Sequence, residues 1–263
     1  MPPPVTAKPK TPQPATKLAV AATRPTLTLP TKKSVVQMRP QDHIMMFFGP
    51  PGVGKTTFVN GLADRVLFLS TDRGTRSIET MRVECVTWQK FDEVLKLLES
   101  GQSKNYDMVC VDHVDDWANM AEMAVCSRLK VASLSDAGYG KGWSAMRREL
   151  MNFMSRLKRL DLGLVFIAHD QDKKVKVAGA EIDKCQPRIG KQAWDILIPL
   201  VDVVGYVSMR PVKTQDGKRK EIRTLETTPK QDLYAKDRTR RQRPAKDYEL
   251  LDPEKFLATF ASE

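Results

Sequence analysis

The chain has 263 residues, 41% of them hydrophobic, with 43 Lys/Arg against 32 Asp/Glu and a formal net charge of +11. That length suits one large domain or a domain with a tail, and no apolar run approaches the roughly 18 residues of a membrane span. Cys85, Cys110, Cys126 and Cys185 form no C-x-x-C pair, which argues against a zinc site or a disulfide framework and suits a reducing cytoplasm.

Residues 1–40 hold nine of the 17 prolines and seven Lys/Arg with no acid, leaving 36 basic and 32 acidic residues beyond them. Such a segment buries too little apolar surface to offset its ordering entropy. It reads as a disordered basic arm, either touching nucleic acid electrostatically or merely solvated. Ile44–Phe48 then has the length of one buried strand. It ends at Gly49-Pro50-Pro51-Gly52-Val53-Gly54-Lys55-Thr56, which fits G-x-x-x-x-G-K-[ST] without a mismatch. Glycines let the backbone wrap a phosphate and visit positive φ, and the turn aims amides and a helix N-terminus at the anion. Lys55 is suited to the β- and γ-phosphates and Thr56 to Mg²⁺. With Thr57, these nine residues are the expected nucleotide-binding set.

Further strands are expected at Arg65–Ser70, Val83–Trp88, Met108–Val111, Gly163–Ala168 and Val201–Ser208. Helices are expected near Lys55–Ala63, Phe91–Ser100, Asp115–Leu129, Gly142–Leu160, Lys191–Leu197 and Pro253–Phe260. Ser133–Lys141 and Asp170–Arg188 read as loops, and Val212–Thr228 as a polar hairpin followed by a basic stretch to Arg243. Near-continuous apolar strands alternating with helices mean an α/β fold with a mostly parallel central sheet flanked by helices. The expected division is a 1–40 arm, a 41–246 ATPase core and a 247–263 helical tail.

Sheets of this kind bind ligands beyond the carboxyl ends of their strands, where the polar candidates cluster. Asp112 closes the run Met108-Val-Cys-Val-Asp, the Walker B pattern that supplies a carboxylate near Mg²⁺ through water. Asp115 and Asp116 suit the start of the next helix and its dipole. Asp72, in LSTDRG, either orients the attacking water or caps the turn before Arg73-Gly74. His169, ending FIAHD, either meets the γ-phosphate or bonds to backbone. Lys173, Lys174, Lys176 and Arg188 are cations able to hold a single strand, and Tyr139, Lys141 and Trp143 set aromatic rings beside basic groups, as base stacking requires. Charge runs are also ordinary solvated surface. Lys236 and Arg238 lie in Val212–Lys246, which has twelve basic and five acidic residues, and either reach a neighbouring subunit's phosphate or form a solvated edge.

The ordered set FGPPGVGKTT, FLSTD, VCVDH, GYGKGW, VFIAHD and VDVVGY resembles the phage nucleotide-binding AAA-family ATPases. That group includes the Sak-type single-strand-annealing proteins, similar to a RecA/RadA recombinase reduced to its ATPase core. The resemblance spans about residues 41–245. It implies a RecA-like P-loop NTPase that uses ATP and Mg²⁺ to handle single-stranded DNA in phage recombination, annealing or pairing strands as a homo-oligomeric ring or filament in the host cytoplasm. It places Lys55, Asp72, Asp112 and His169 in catalysis, with Thr56 and Asp112 holding Mg²⁺. Ser133–Trp143 and Asp170–Arg188 fall at the two DNA-binding loops, and Lys236 and Arg238 at cations acting in trans. Asp72 stands where a glutamate is usual and His169 where a glutamine is usual. A cooperating single-strand-binding protein stays open, no membrane partner is expected, and an AAA+-type helicase loader or a nucleotide-gated module without catalysis are the competing readings.

Overall fold

The structure, a computed structural model, describes residues 29, 31–33, 39–177, 179–213, 216–239 and 249–260. The chain divides into Met1–Val36 and Gln37–Glu263, and the fold is that of the second unit. The arm expected over 1–40 and the basic run from 240 to 246 lie mostly outside the described residues. Among the described residues no helix is long and apolar enough to cross a membrane.

In chain order the strands and helices are β1 (Ile44–Phe48), α1 (Lys55–Asn60), β2 (Val66–Ser70), β3 (Met81–Glu84), α2 (Trp88–Glu99), β4 (Met108–Asp112), α3 (Val114–Leu129), α4 (Lys141–Leu157) and β5 (Gly163–Ala168). There follow β6 (Asp170–Val177), β7 (Ala180–Pro187), α5 (Lys191–Leu200), β8 (Val203–Lys213), β9 (Arg219–Glu226), β10 (Lys236–Asp237), β11 (Glu249–Leu250) and α6 (Pro253–Ala258). The main sheet runs β11-β9-β8-β1-β5-β4-β2-β3, with β10 on β8. From β8 to β3 the strands pair parallel, and β9, β10 and β11 join antiparallel. The expected α/β fold with a mostly parallel, helix-flanked sheet is what the chain forms.

Both faces of the sheet are buried, which is why the strands read as unbroken apolar runs. Met46 and Phe48 of β1 join Leu69, Val111, Phe166 and the inner faces of α2–α5 in one cluster. Met45 and Phe47 point the other way, joining Phe58 and Val59 of α1 and Phe256 of α6 in a second. Phe256 and Phe260, within the span expected as a helical tail, belong to this cluster. Phe256 meets Phe47 at 5.8 Å and Phe58 at 5.5 Å between ring centroids.

Three local expectations change. The third strand is Met81–Glu84, not Val83–Trp88, because Thr87 caps α2 by accepting from Lys90 N, and Trp88 opens the helix. Asp170–Arg188 is no loop: β6 and β7 pair over their full lengths as a separate antiparallel hairpin, with Gly179 at φ +88° in its turn. The strand expected at Val201–Ser208 begins at Val203 and runs without a break into the start of the polar hairpin as β8, which pairs with β9.

Candidate nucleotide site

β1 delivers the chain to the phosphate loop, and the loop is pressed against the sheet at its first glycine. Gly49 has φ +153°, and a Cβ there would stand 2.0 Å from Val207 O of β8. Gly54, at φ +95°, opens α1, and its missing Cβ leaves room for the Arg223 guanidinium of β9, whose Nη1 would lie 3.4 Å from it. Lys55 is only 5% exposed, and its Nζ donates to Gly49 O and Pro50 O, both at 2.8 Å. Burial pushes this ammonium's pKa down, while the Asp112 carboxylate opposes the shift. Val53 turns inward to the core beneath the loop.

Thr56 Oγ1 donates to Asp112 Oδ2 at 2.9 Å. Asp112, buried at the end of β4, has its carboxyl raised by burial. Among the described residues its Oδ1 has no hydrogen-bond partner; His113 Nε2 stands 3.1 Å away, close enough for attraction but not aligned to donate. A buried carboxylate oxygen without a hydrogen-bond donor, on the carboxyl that faces a threonine hydroxyl, is an oxygen set that suits Mg²⁺. Lys55, Thr56, Asp72, Asp112, His113 and His169 line a cleft of about 310 Å³, together with Pro51, Gly52, Gly54 and Thr57 of the loop.

The family model described as an AAA domain matches residues 41–239, three quarters of the sequence and the whole of this cleft. The chain belongs to the AAA domain family. It is thus an AAA-type P-loop ATPase by family, which implies nucleotide binding, usually with Mg²⁺. No curated protein matches it.

Sequence reading missed the layer that surrounds the cleft of this AAA domain. His113 stacks on His169 with ring centroids 4.2 Å apart, and its Nδ1 lies 3.7 Å from Asp72 Oδ2. Asp72 makes the turn bond expected of it, its Oδ1 accepting from Gly74 N at 2.8 Å, and it also lines the cleft. His169 Nδ1 lies 3.2 Å from Asp115 Oδ2, on which Arg188 Nη2 also donates at 2.8 Å. Asp115 is buried, which by itself raises a carboxyl pKa; hydrogen bonds from Arg188 and His169 outweigh burial and hold it below the ordinary value. Thr71 Oγ1 ties Asp116 in at 2.9 Å. The one signal available was the pair of acids following Val-Asp-His, which the helix dipole already accounted for.

The other candidates scatter. Lys141 and Trp143 lie in the first turn of α4, and Tyr139 is wholly exposed at φ +47°. Their segment is less free than its glycines suggest: Ser133 and Asp136 form a reciprocal cap, and Gly142 lies against Leu134 O. Lys173, Lys174 and Lys176 sit exposed on β6, while Arg188 is drawn to the cleft edge. Lys236 and Arg238 are occupied within their own chain. Lys236 Nζ donates to Ile198 O at 2.7 Å and Val201 O at 2.5 Å, and Arg238 Nη2 to Pro199 O at 2.6 Å. They satisfy carbonyls left open at the end of α5.

Proposed function

We propose that this AAA domain hydrolyses ATP with Mg²⁺ and uses the hydrolysis cycle to govern its hold on single-stranded DNA, annealing or pairing strands as a homo-oligomer of the Sak type. The observation that carries this reading is the rooting of the basic β6–β7 hairpin. His169 precedes it and Arg188 follows it, Arg188 N donates to His169 O at 2.8 Å, and both side chains converge on Asp115. A change at His169 is therefore felt at both feet of a segment that carries exposed lysines.

The chain's own groups suit the chemistry. Lys55 can exchange two loop carbonyls for phosphate oxygens without leaving the loop. Thr56 and Asp112 would hold Mg²⁺, which neutralises charge between the β- and γ-phosphates. Asp72 faces the cleft with an oxygen free of the turn's backbone bond and can orient a water. His169, at the end of β5, meets the γ-phosphate side and passes its position to Asp115. Arg223, beside Gly54, adds a cation from β9 in the same chain.

A helicase loader would need a helical lid after the core. Among the described residues that region is instead the β8–β9 hairpin, two short strands and α6. The deciding experiment measures ATP turnover of the full chain with and without single-stranded DNA, and particle size in both states. Turnover that rises with DNA, from an assembly larger than one chain, is expected. Turnover indifferent to DNA, with no DNA binding in any nucleotide state, removes the reading. Asp72→Asn should cut turnover and spare ATP binding; unchanged turnover would hand the water to another acid.

A further inference from the structure

Beyond the nucleotide cleft lies a wider one, about 620 Å³, between the β6–β7 hairpin and α5. Its lining includes Gln171, Lys173, Gln186, Lys191 and Trp194, together with the acids Asp172 and Asp195. None of these residues takes part in the ATP chemistry.

Strand register sorts the hairpin's charges by face. Residues directly opposite share a face, and like charges placed so are unfavourable. On one face Lys174 stands opposite Asp183 and Lys176 opposite Glu181, so those charges are balanced. On the other, Gln171 stands opposite Gln186 and Lys173 opposite Lys184, two cations facing each other without an acid between them. That second face is the one that contributes Gln171, Lys173 and Gln186 to the cleft.

Trp194 is the aromatic residue of the cleft lining. Trp194, half-buried on the first turn of α5, meets Tyr234 edge to face with centroids 4.9 Å apart. Tyr234 is fixed along β7, its N donating to Cys185 O at 2.8 Å, and Lys184 Nζ stands 5.8 Å from its ring centroid. Lys191 is held by Asp195 at 3.0 Å, whereas Lys173 and Lys184 form no ion pair among the described residues. The cleft thus combines a half-buried indole, side-chain amides that can donate or accept, and Lys173, which faces Lys184 across the hairpin. A free phosphate would satisfy the cations but has no use for the indole, and an apolar ligand has no use for the cations. A nucleotide unit uses both, stacking its base and giving its phosphate to the lysines.

We infer that this cleft is a base-stacking site for single-stranded DNA, with Trp194 as the platform and Lys173 and Lys184 as the phosphate clamp. The inference rests on the single-strand reading above and adds to it where a base is held. It also moves the main DNA contact from the whole lysine run to one face of the hairpin.

The test compares binding of a thymidine oligonucleotide and a matched abasic oligonucleotide to the full chain, by anisotropy at fixed salt. Wild type should prefer the thymidine strand, and Trp194→Ala should weaken it roughly 5- to 150-fold, the range for losing one stacked base. Trp194→Phe should recover most of the loss, and neither variant should much change binding of the abasic strand. Equal binding of both strands by wild type, or an unchanged affinity in Trp194→Ala, would overturn the base site while leaving single-strand binding intact. If wild type holds neither strand, the single-strand reading falls and this inference with it. The wild-type comparison of the two oligonucleotides needs no variant to fold.

Discussion

The two clefts of this molecule are built on opposite plans. In the nucleotide cleft the working groups are buried and mostly engaged: Lys55 holds two carbonyls, Thr56 holds Asp112, and Asp115 holds Arg188 and His169. In the hairpin cleft they are half-exposed, and Lys173 and Lys184 face each other. A site for one small, highly charged ligand gains from groups already fixed in place, because little reorganises when charge arrives. A site for a flexible strand can rely instead on an unbalanced field and a flat ring. The contrast can be broken from either side.

The largest effect should come from behind the nucleotide cleft, where α6 braces β1 and α1. Phe256→Ala removes a ring that is 1% exposed and packed on Phe47 and Phe58. It should lower unfolding free energy by about 3–5 kcal/mol, read from a denaturant midpoint. A loss under about 1 kcal/mol would mean that the helix is peripheral after all. Next is the cleft itself. Lys55→Ala should reduce turnover by about 10²–10³-fold, the usual scale for losing one preorganised charge-stabilising group. An unchanged rate would remove the phosphate-loop assignment.

Asp115 tests whether the rim of the cleft is as fixed as its floor. Its carboxyl is held below the ordinary value, so it stabilises the fold fully above the ordinary carboxylate range and loses that contribution as pH falls through the lower folded value. Asp115→Asn should cost about 1.5–3 kcal/mol near neutral pH, the range for a hydrogen bond to a charged group. The gap to wild type should narrow in acid. A gap that stays constant with pH would show that the charge on Asp115 is not what the site uses.

The same contrast explains what the sequence made legible. Phosphate binding needs glycines at fixed offsets before Lys55 and an apolar strand ahead of them, so the loop, Asp112 and the sheet could be read residue by residue. The helix near Pro253–Phe260 is legible too, but the packing of Phe256 is not, because six helical residues carry no mark of where their ring goes. The hairpin was misread because D-Q-D-K-K-V-K-V has no buried face to impose a two-residue apolar alternation, and its strands are specified by each other. The contacts of His113 and Asp115 are not legible because their partners, His169 and Arg188, are 56 and 73 residues away and meet them only in the folded chain. Lys236 and Arg238 looked like free cations for the same reason, since the carbonyls they cap belong to α5.

The smallest effect separates the two faces of the hairpin. Each phosphate contact with a single strand contributes about 0.7 to the slope of log affinity against log salt. Lys173→Gln with Lys184→Gln should therefore flatten the slope by about 1.4. The matched pair Lys174→Gln with Lys176→Gln removes the same charge, but from the face where Asp183 and Glu181 stand opposite. It should flatten the slope by well under half as much. Both pairs lie on exposed or half-buried positions, so thermal stability should move little in either and serves as the control. Net charge alone predicts equal slopes; only register predicts unequal ones. Equal flattening would mean that the strand senses the hairpin as a diffuse positive field, and the two clefts would then differ in degree of exposure rather than in plan.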